Sequence, residues 1–214
     1  MRLHPLLAPA CALVLAAQAP IRLPAFRPGT ASLDAALQAR RTERRLGGPA
    51  LSLEEASRLL WSAQGENRPG KRTVPSARAR YPLELYLLTE GSASLPAGLY
   101  HYLPREHALQ RLGDRGVSGA MGSLKGMQSW IAKAPAIFLF TGVSARLGGM
   151  DAAQQELYTF WEGGAAAQSL LLQASAMSFG SGVASGIDLE GLRAALGLPP
   201  AERPIVVVAL GRLK

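Results

Sequence analysis

Cysteine is all but missing: Cys11 is the only one in 214 residues, and it lies in an apolar leader. One cysteine cannot form an intrachain disulfide, and thiolate zinc sites need more. If the leader is cleaved, the mature chain has no cysteine, which fits an oxidising compartment and excludes cysteine nucleophiles. Histidine is also scarce. His4, His101 and His107 show no ligand spacing and no accompanying carboxylate cluster, so no metal site is expected. The leader's apolar run, Leu6 to Ala17, is too short to cross a bilayer. Charged residues are few (18%) beside 48% hydrophobic ones, which argues against disorder. Acidic residues are outnumbered 15 to 23, leaving a formal net charge of +8. Such an excess raises nucleic acid as a partner. The arginines, however, are scattered among apolar segments, with no basic block interleaved with aromatics. The densest run, Arg40-Arg41-Thr42-Glu43-Arg44-Arg45, is short and fits a local phosphate site at least as well as a DNA-binding face. No nucleic-acid partner is expected.

What is present reads as one domain with a sizeable core behind a targeting segment. Met1-Arg2-Leu3-His4 is weakly positive, Leu6 to Ala17 is apolar, and Ala17-Gln18-Ala19 offers the small residues of a cleavage site. Residues 1–19 are therefore expected to be a signal peptide and the protein to be exported to the periplasm; an uncleaved leader would leave it cytoplasmic. Residues 20–31 read as a linker, with Pro24, Pro28 and Gly29, and 32–214 as the folded domain. Ser32 caps a short helix through Ala39, and Ser52-Leu53-Glu54-Glu55 is a capping box before a helix with Ala56, Leu59, Leu60 and Ala63 on one stripe. Gln64 to Thr73 reads as a loop. Leu83 to Thr89 and Gly98 to Leu103 read as a hairpin, and Pro135 to Thr141 and Arg203 to Leu210 as buried strands. Helices are expected over Met121 to Lys133, Ala152 to Met177 and Leu189 to Leu196, with a glycine-rich turn over Phe179 to Gly186. Strands and helices mix without strict alternation, which predicts an α+β fold.

Four segments in this order resemble the FMN-dependent nitroreductase family, and within it the branch of SagB/ThcOx-type dehydrogenases. Arg40-Arg41-Thr42-Glu43-Arg44 is similar to the family's Arg-x-Ser-x-Lys/Arg opening. Pro75-Ser76-Ala77-Arg78-Ala79-Arg80-Tyr81-Pro82 is similar to the branch's Pro-Ser-Ala-Gly-Ala-Leu-Tyr-Pro. Glu162-Gly163-Gly164 to Ala174, continuing through Gly180-Ser181-Gly182 to Gly186, is the third, and Val206 to Arg212 resembles the C-terminal strand. The resemblance runs from about Leu33 to the last residue. It implies a nitroreductase-like fold with a central, mostly antiparallel sheet flanked by helices. It also implies a homodimer with FMN at the subunit interface.

The residue chemistry suits those roles. Guanidinium forks bind phosphate oxygens bidentately. If the opening is helical, Arg40 and Arg44 stand one turn apart and converge on one anion, with Arg41 and Thr42 beside them; a solvated basic helix end explains the same residues. Arg212, or Lys214, closes the phosphate site, unless the basic C-terminus frays. The resemblance implies that Pro75, Ser76 and Ala77 line the ribityl chain or ring edge. It implies further that Val183 packs on the ring and that Ser185 precedes Gly186, the backbone donor to flavin N5, where main chain must approach without a side chain. Gly180-Ser181-Gly182 also fits a helix end and turn. Gln168 either reaches the cofactor or satisfies a backbone group in the core. Tyr158, Phe160, Trp130 and Trp161 shape the substrate side, the core or a dimer interface.

The function implied is an FMN oxidoreductase that takes a hydride from NAD(P)H or another reductant and passes electrons to a nitro, quinone or similar small acceptor. No side-chain acid or base is assigned as catalytic. Azoline-oxidising relatives carry a Lys-Tyr pair ahead of the long helix; Ser144 to Gln155 has neither in that pairing. A modified-peptide dehydrogenase is thus an alternative, and a non-catalytic flavin-binding or storage protein is another. Arg78 and Arg80 depart from the branch's small and apolar residues. They raise the flavin's potential, steer an anionic substrate, or face solvent.

Overall fold

The computed structural model describes residues 18–122, 124, 127–184 and 187–213. Most of the expected leader, with Ser185, Gly186 and Lys214, therefore lies outside the described residues. The strands are β1 (Ile21–Arg22), β2 (Leu46–Gly47), β3 (Glu66–Arg68), β4 (Lys71–Arg72), β5 (Leu83–Thr89), β6 (Gly98–Leu103), β7 (Ala108–Gly113), β8 (Ala136–Gly142), β9 (Phe179–Ala184) and β10 (Arg203–Leu213). The helices are α1 (Leu33–Ala39), α2 (Leu53–Gln64), α3 (Val117–Met121), α4 (Ser129–Ala132), α5 (Ala152–Ala176) and α6 (Leu189–Ala195).

One eight-stranded sheet organises the molecule. Its order is β1-β7-β6-β5-β8-β10, with β9 on the other side of β10 and β2 pairing the last residues of β10. Every pairing within it is antiparallel. The central strand β8, Ala136–Gly142, is buried along its whole length, as an unbroken apolar run requires when both faces are covered. Phe138, Phe140, Leu85 and Leu87 face α2 and α5 on one side; Ile137, Leu139, Val207 and Ala209 face α3, α4 and α6 on the other. This is the expected α+β arrangement of a central antiparallel sheet flanked by helices. Among the described residues no helix is long and apolar enough to cross a membrane.

Local chemistry explains the clearest elements. The Ser52 hydroxyl accepts from the Glu55 amide at 3.2 Å, and the Ser52 amide donates to the Glu55 carboxylate at 2.9 Å, so the capping box forms as read. Ser52→Ala is expected to cost about 1 kcal/mol of stability, read as a lower midpoint in urea unfolding with an unchanged slope.

Five departures from the sequence reading have physical causes. Residues 20–31 are docked rather than trailing: β1 pairs β7, the Leu23 amide donates to the His107 carbonyl at 2.9 Å, and Phe26 stacks on Trp61 at 3.8 Å. The loop Gln64 to Thr73 contains the β3–β4 hairpin, turned by Gly70 at φ +67°. β7 escapes the periodicity because Gln110 and Arg111 interrupt its apolar alternation. The helix expected over Met121 to Lys133 is two short ones, α3 and α4, in a stretch where Gly119 and Gly122 weaken helical propensity. Most consequentially, Phe179–Ala184 is the strand β9 instead of a turn. Its glycines serve close packing: a Cβ on Gly182 would lie 3.1 Å from the Trp130 ring and 3.2 Å from the Glu43 carbonyl.

Candidate functional site

The basic opening segment runs along the outer side of β9. Helix α1 ends at Ala39, and Arg40, its C-cap, is already extended (ψ 118°), so Arg40 and Arg44 are not one helical turn apart. Thr42 instead bridges Ser181 in parallel, and the Glu43 amide donates to the Ser181 carbonyl at 2.9 Å. Arg40 and Arg44 are therefore carried on an extended segment, with Arg44 over the Trp130 ring at 5.8 Å, and the helical convergence expected of them is not formed. A cavity of about 160 Å³ opens here, lined by Arg40, Arg41, Glu43, Ser178, Gly180 and Leu213 among others.

Its cations are not equivalent. Arg41 and Arg45 each lie 3.9 Å from the Glu43 carboxylate. That carboxyl is held below its ordinary range, chiefly by the Arg45 backbone amide. Arg212 donates to Glu55 at 2.5 Å and lies 4.2 Å over the Phe179 ring. Among the described residues Arg40 and Arg44 pair with no carboxylate; Arg44 only lies over Trp130 at 5.8 Å. The uncommitted Arg40 guanidinium with the Ser178 and Ser181 hydroxyls forms a donor set suited to a phosphate dianion, and Thr42 and Arg44 follow on the same segment. The cavity is smaller than the roughly 300 Å³ at which ligand pockets begin; it fits the phosphate end of FMN and not the whole molecule. Val183 is exposed on the same strand β9.

The Pro75-Ser76-Ala77 loop lies elsewhere. It enters β5, whose Leu83 is in register with Gly142 of β8, and Gly142 is in register with Arg203 of β10. Arg203 and Arg212 stand at opposite ends of β10, nine residues or about 30 Å apart. From the basic segment to β5 the sheet also crosses β9, β10 and β8, four strand spacings or about 19 Å. Within one protomer the Arg40 cluster and the Pro-Ser loop do not share a site. Helix α5 joins the two ends: Ser175 donates to the Ala36 carbonyl of α1, while Glu162 lies against the Pro-Ser loop. Gln168, between them, is exposed and not in the core.

The Pro-Ser loop is stiffly held. The Tyr81 amide donates to Ser76 Oγ at 2.8 Å, and the Tyr81 hydroxyl accepts from the Arg72 amide at 3.2 Å. Arg72 lies 4.7 Å over the Tyr81 ring and donates to Gln64 Oε1 at 2.6 Å. Beneath the loop, Glu162 is 5% exposed and its Oε1 has no hydrogen-bond partner. Burial raises its carboxyl to about 7 against the opposing pull of the Ser76 hydroxyl and the Arg72 guanidinium. Glu84 shows the opposite balance: burial would raise it, but hydrogen bonds from His101 and Arg146 hold it below its ordinary value.

Of the expected cofactor residues, the structure thus places Arg40 and Arg41 on one cavity, Thr42 and Arg44 on the same segment, Val183 on the adjacent β9, and Arg212 over Phe179 at the start of β9. It sets Pro75, Ser76, Ala77 and Gln168 apart from them, and Ser185 and Gly186 lie outside the described residues. Sequence reasoning passed over Glu162 and Arg72. Glu162 had a signal: it is the lone carboxylate on the Gly- and Ala-rich face of a long helix. Arg72 had none, because its partners lie on three different elements. Among the described residues no group of three His, Cys, Asp or Glu is placed to hold a metal ion.

Comparison with known proteins matches residues 37–212 to the model of the nitroreductase family. A protein described as a putative nitroreductase, from Methanocaldococcus jannaschii, is 30% identical over 182 residues, covering 84% of this chain and 90% of its own. A crystal structure of a second such protein, from Ralstonia eutropha, superposes with a TM-score of 0.79 at 28% identity, covering 91% of this chain and 90% of that one. A third, from Desulfovibrio desulfuricans and crystallised in complex with FMN, gives a TM-score of 0.62 at 19% identity over 86% of this chain and 88% of that one.

Proposed function

The chain belongs to the nitroreductase family, and from that premise we propose that it is an FMN-dependent oxidoreductase acting as a homodimer, with NAD(P)H or another reductant as donor and a nitro, quinone or similar small molecule as acceptor. The observation that carries the flavin is the uncommitted Arg40 guanidinium on a cavity of phosphate size, with that of Arg44 four residues along the same extended segment. FMN in the Desulfovibrio relative supports the same cofactor here. The Pro75 to Pro82 motif supports placement in the SagB/ThcOx-type branch, and the leader supports export.

The dimer is argued from exposed apolar surface. Along α5, Leu157 (46% exposed), Phe160 (37%) and Trp161 (63%) stand out from the body, and Leu33 and Leu37 of the neighbouring α1 are exposed as well. The stripe continues through Gly164, Ala165 and Gln168, all exposed. Such a patch in a water-soluble fold marks an interaction surface. A two-fold axis across it lays two α5 helices antiparallel. Glu162 and Ser175 are thirteen residues apart, about 20 Å along the helix. With the axis crossing α5 near Gln168, midway between the two, antiparallel pairing sets the Pro-Ser end of one copy opposite the Arg40 end of the other, and two half-sites become one.

In that complete site Arg40 and Arg44 would hold the phosphate, with Thr42 and the Ser178 and Ser181 hydroxyls as further donors. Pro75, Ser76, Ala77 and Gln168 of the second copy would enclose the ribityl and ring region, and Val183 would pack on the ring. FMN, when bound, would supply two-electron redox chemistry between donor and acceptor. The protein's own work is orientation and exclusion of water. Glu162, buried under the loop with a carboxyl near 7, is able to hold or release a proton next to Ser76 at neutral pH.

The purified protein should be yellow, with one FMN per protomer, and stopped-flow mixing with NADH or NADPH should bleach the flavin band. Protein that stays colourless after incubation with FMN overturns the assignment. Bound flavin that no donor reduces points to a storage protein instead.

A further inference from the structure

Around Tyr81 the backbone is in an unusual state. Arg78 (φ +53°), Ala79 (φ +53°) and Tyr81 (φ +49°) all occupy the left-handed region without being glycine. Each costs about 1–2 kcal/mol relative to the ordinary conformation, and such residues concentrate where strain serves a site. On this turn Arg78 and Arg80 line two adjoining hollows, of about 380 and 370 Å³ respectively, that share Arg72, Ala79 and Tyr81.

The second hollow collects four guanidiniums. Two are fixed: Arg72 by Gln64 and the Tyr81 ring, and Arg146 by Glu84 and by the Tyr81 carbonyl at 3.3 Å. The other two, Arg80 and Arg105, are exposed on its rim and pair with no carboxylate among the described residues. Glu66 is the one carboxylate in its lining, and its Oε1 accepts from the Gly70 amide at 3.0 Å. Arg68, Lys71 and Arg78 continue the positive charge into the first hollow. Gathering like charges in a concavity with so few counter-charges is unfavourable unless an anion fills it. A fixed floor with an exposed cationic rim suits the capture of a multiply charged small molecule.

Resting on the reading that the Pro-Ser loop walls a flavin site, we propose that this trough binds the anionic part of the flavin's reaction partner, a small molecule carrying two or more phosphate or carboxylate groups. The loop has Pro75, Ser76 and Arg78 on the first hollow and Arg80 and Tyr81 on the second. A ligand anchored there is therefore held beside the wall of the flavin pocket.

FMN-saturated protein titrated calorimetrically with pyrophosphate, and separately with citrate, tests this. At least one is expected to bind once per protomer, with affinity that falls as salt is raised. Pyrophosphate alone identifies a phosphate ligand and citrate alone a carboxylate one. Arg80→Ala/Arg105→Ala should weaken binding by about tenfold or more, as loss of charged contacts does, and the double lysine variant should restore part of it. Arg78→Gly relieves a left-handed arginine, so it should keep or raise Tm while weakening the same anion. With flavin reduced by dithionite, the preference for 1,4-naphthoquinone-2-sulfonate over 2-methyl-1,4-naphthoquinone should fall about tenfold in the double alanine variant. Each quinone takes two electrons and two protons to its hydroquinone, and their different potentials cancel when the ratio is compared between parent and variant, which isolates the sulfonate. Absence of binding by both anions, or binding unchanged in both the double alanine and Arg78→Gly variants, overturns the proposal. Flavin-free protein carrying Arg40→Ala/Arg44→Ala removes the other anion site, and binding there should persist at the trough, so a failure of the flavin assignment is seen separately.

Discussion

Arg40→Ala/Arg44→Ala is expected to purify colourless and to bind added FMN about 100-fold more weakly at least. Neither arginine pairs with a carboxylate among the described residues; Arg40 lines the phosphate-sized cavity and Arg44 follows it on the same segment. A hydrogen bond to a charged partner contributes about 1.5–3 kcal/mol, so losing two costs about 3–6 kcal/mol, or about two to four orders of magnitude in Kd. Both residues lie on the surface side of β9 and neither braces the core, so far-UV circular dichroism should match the parent. Arg41→Ala makes the internal comparison. Its guanidinium lies 3.9 Å from Glu43 and is partly neutralised before any phosphate arrives, so it should cost less. FMN affinity unchanged in the double variant would remove the basic segment from the phosphate site.

Glu162→Gln is expected to change how stability depends on pH by up to about 3 kcal/mol. In the folded protein the Glu162 carboxyl titrates near 7, against an ordinary 4.5. A raised folded value means that the native state binds the proton more tightly than the unfolded chain. The group's contribution is then fully present below about pH 4.5 and is lost as pH rises through about 7. Each unit is worth about 1.4 kcal/mol, which sets the upper bound, and the side chain is too buried for solvent to screen it appreciably. Glutamine is neutral throughout. Urea unfolding should find the variant near the parent at pH 5 and more stable than it at pH 8; parallel pH profiles would mean that Glu162 is charged in the native state.

Much of the architecture is legible in the sequence, and for identifiable reasons. α2 announces itself by Ser52 and Glu55, and β8 by an unbroken apolar run closed by Gly142. These signals are local. What escaped depends on distant partners. The glycines of β9 look like a turn, and only the proximity of Trp130 and the Glu43 carbonyl explains them as room for close packing. Arg40 and Arg44 look helical because α1 precedes them, yet Ser181 draws the chain out beside β9. The basic cluster was readable from residue type, whereas the roughly 30 Å between it and the far end of β10 was not. The left-handed backbone at Arg78, Ala79 and Tyr81 has no sequence signature, since none is glycine.

The central claim is that one flavin site takes its phosphate ligands from one copy and its Pro-Ser wall from the other. Co-expression of two differently tagged variants tests it. One carries Arg40→Ala/Arg44→Ala and the other Ala77→Trp, which crowds the wall; each homodimer alone should hold little FMN. In the heterodimer purified through both tags, a shared site concentrates all the lesions in one pocket and leaves the other intact. Flavin absorbance should then report one FMN per dimer, with turnover near half that of the parent. A heterodimer with no more flavin than either homodimer contradicts a site shared between copies.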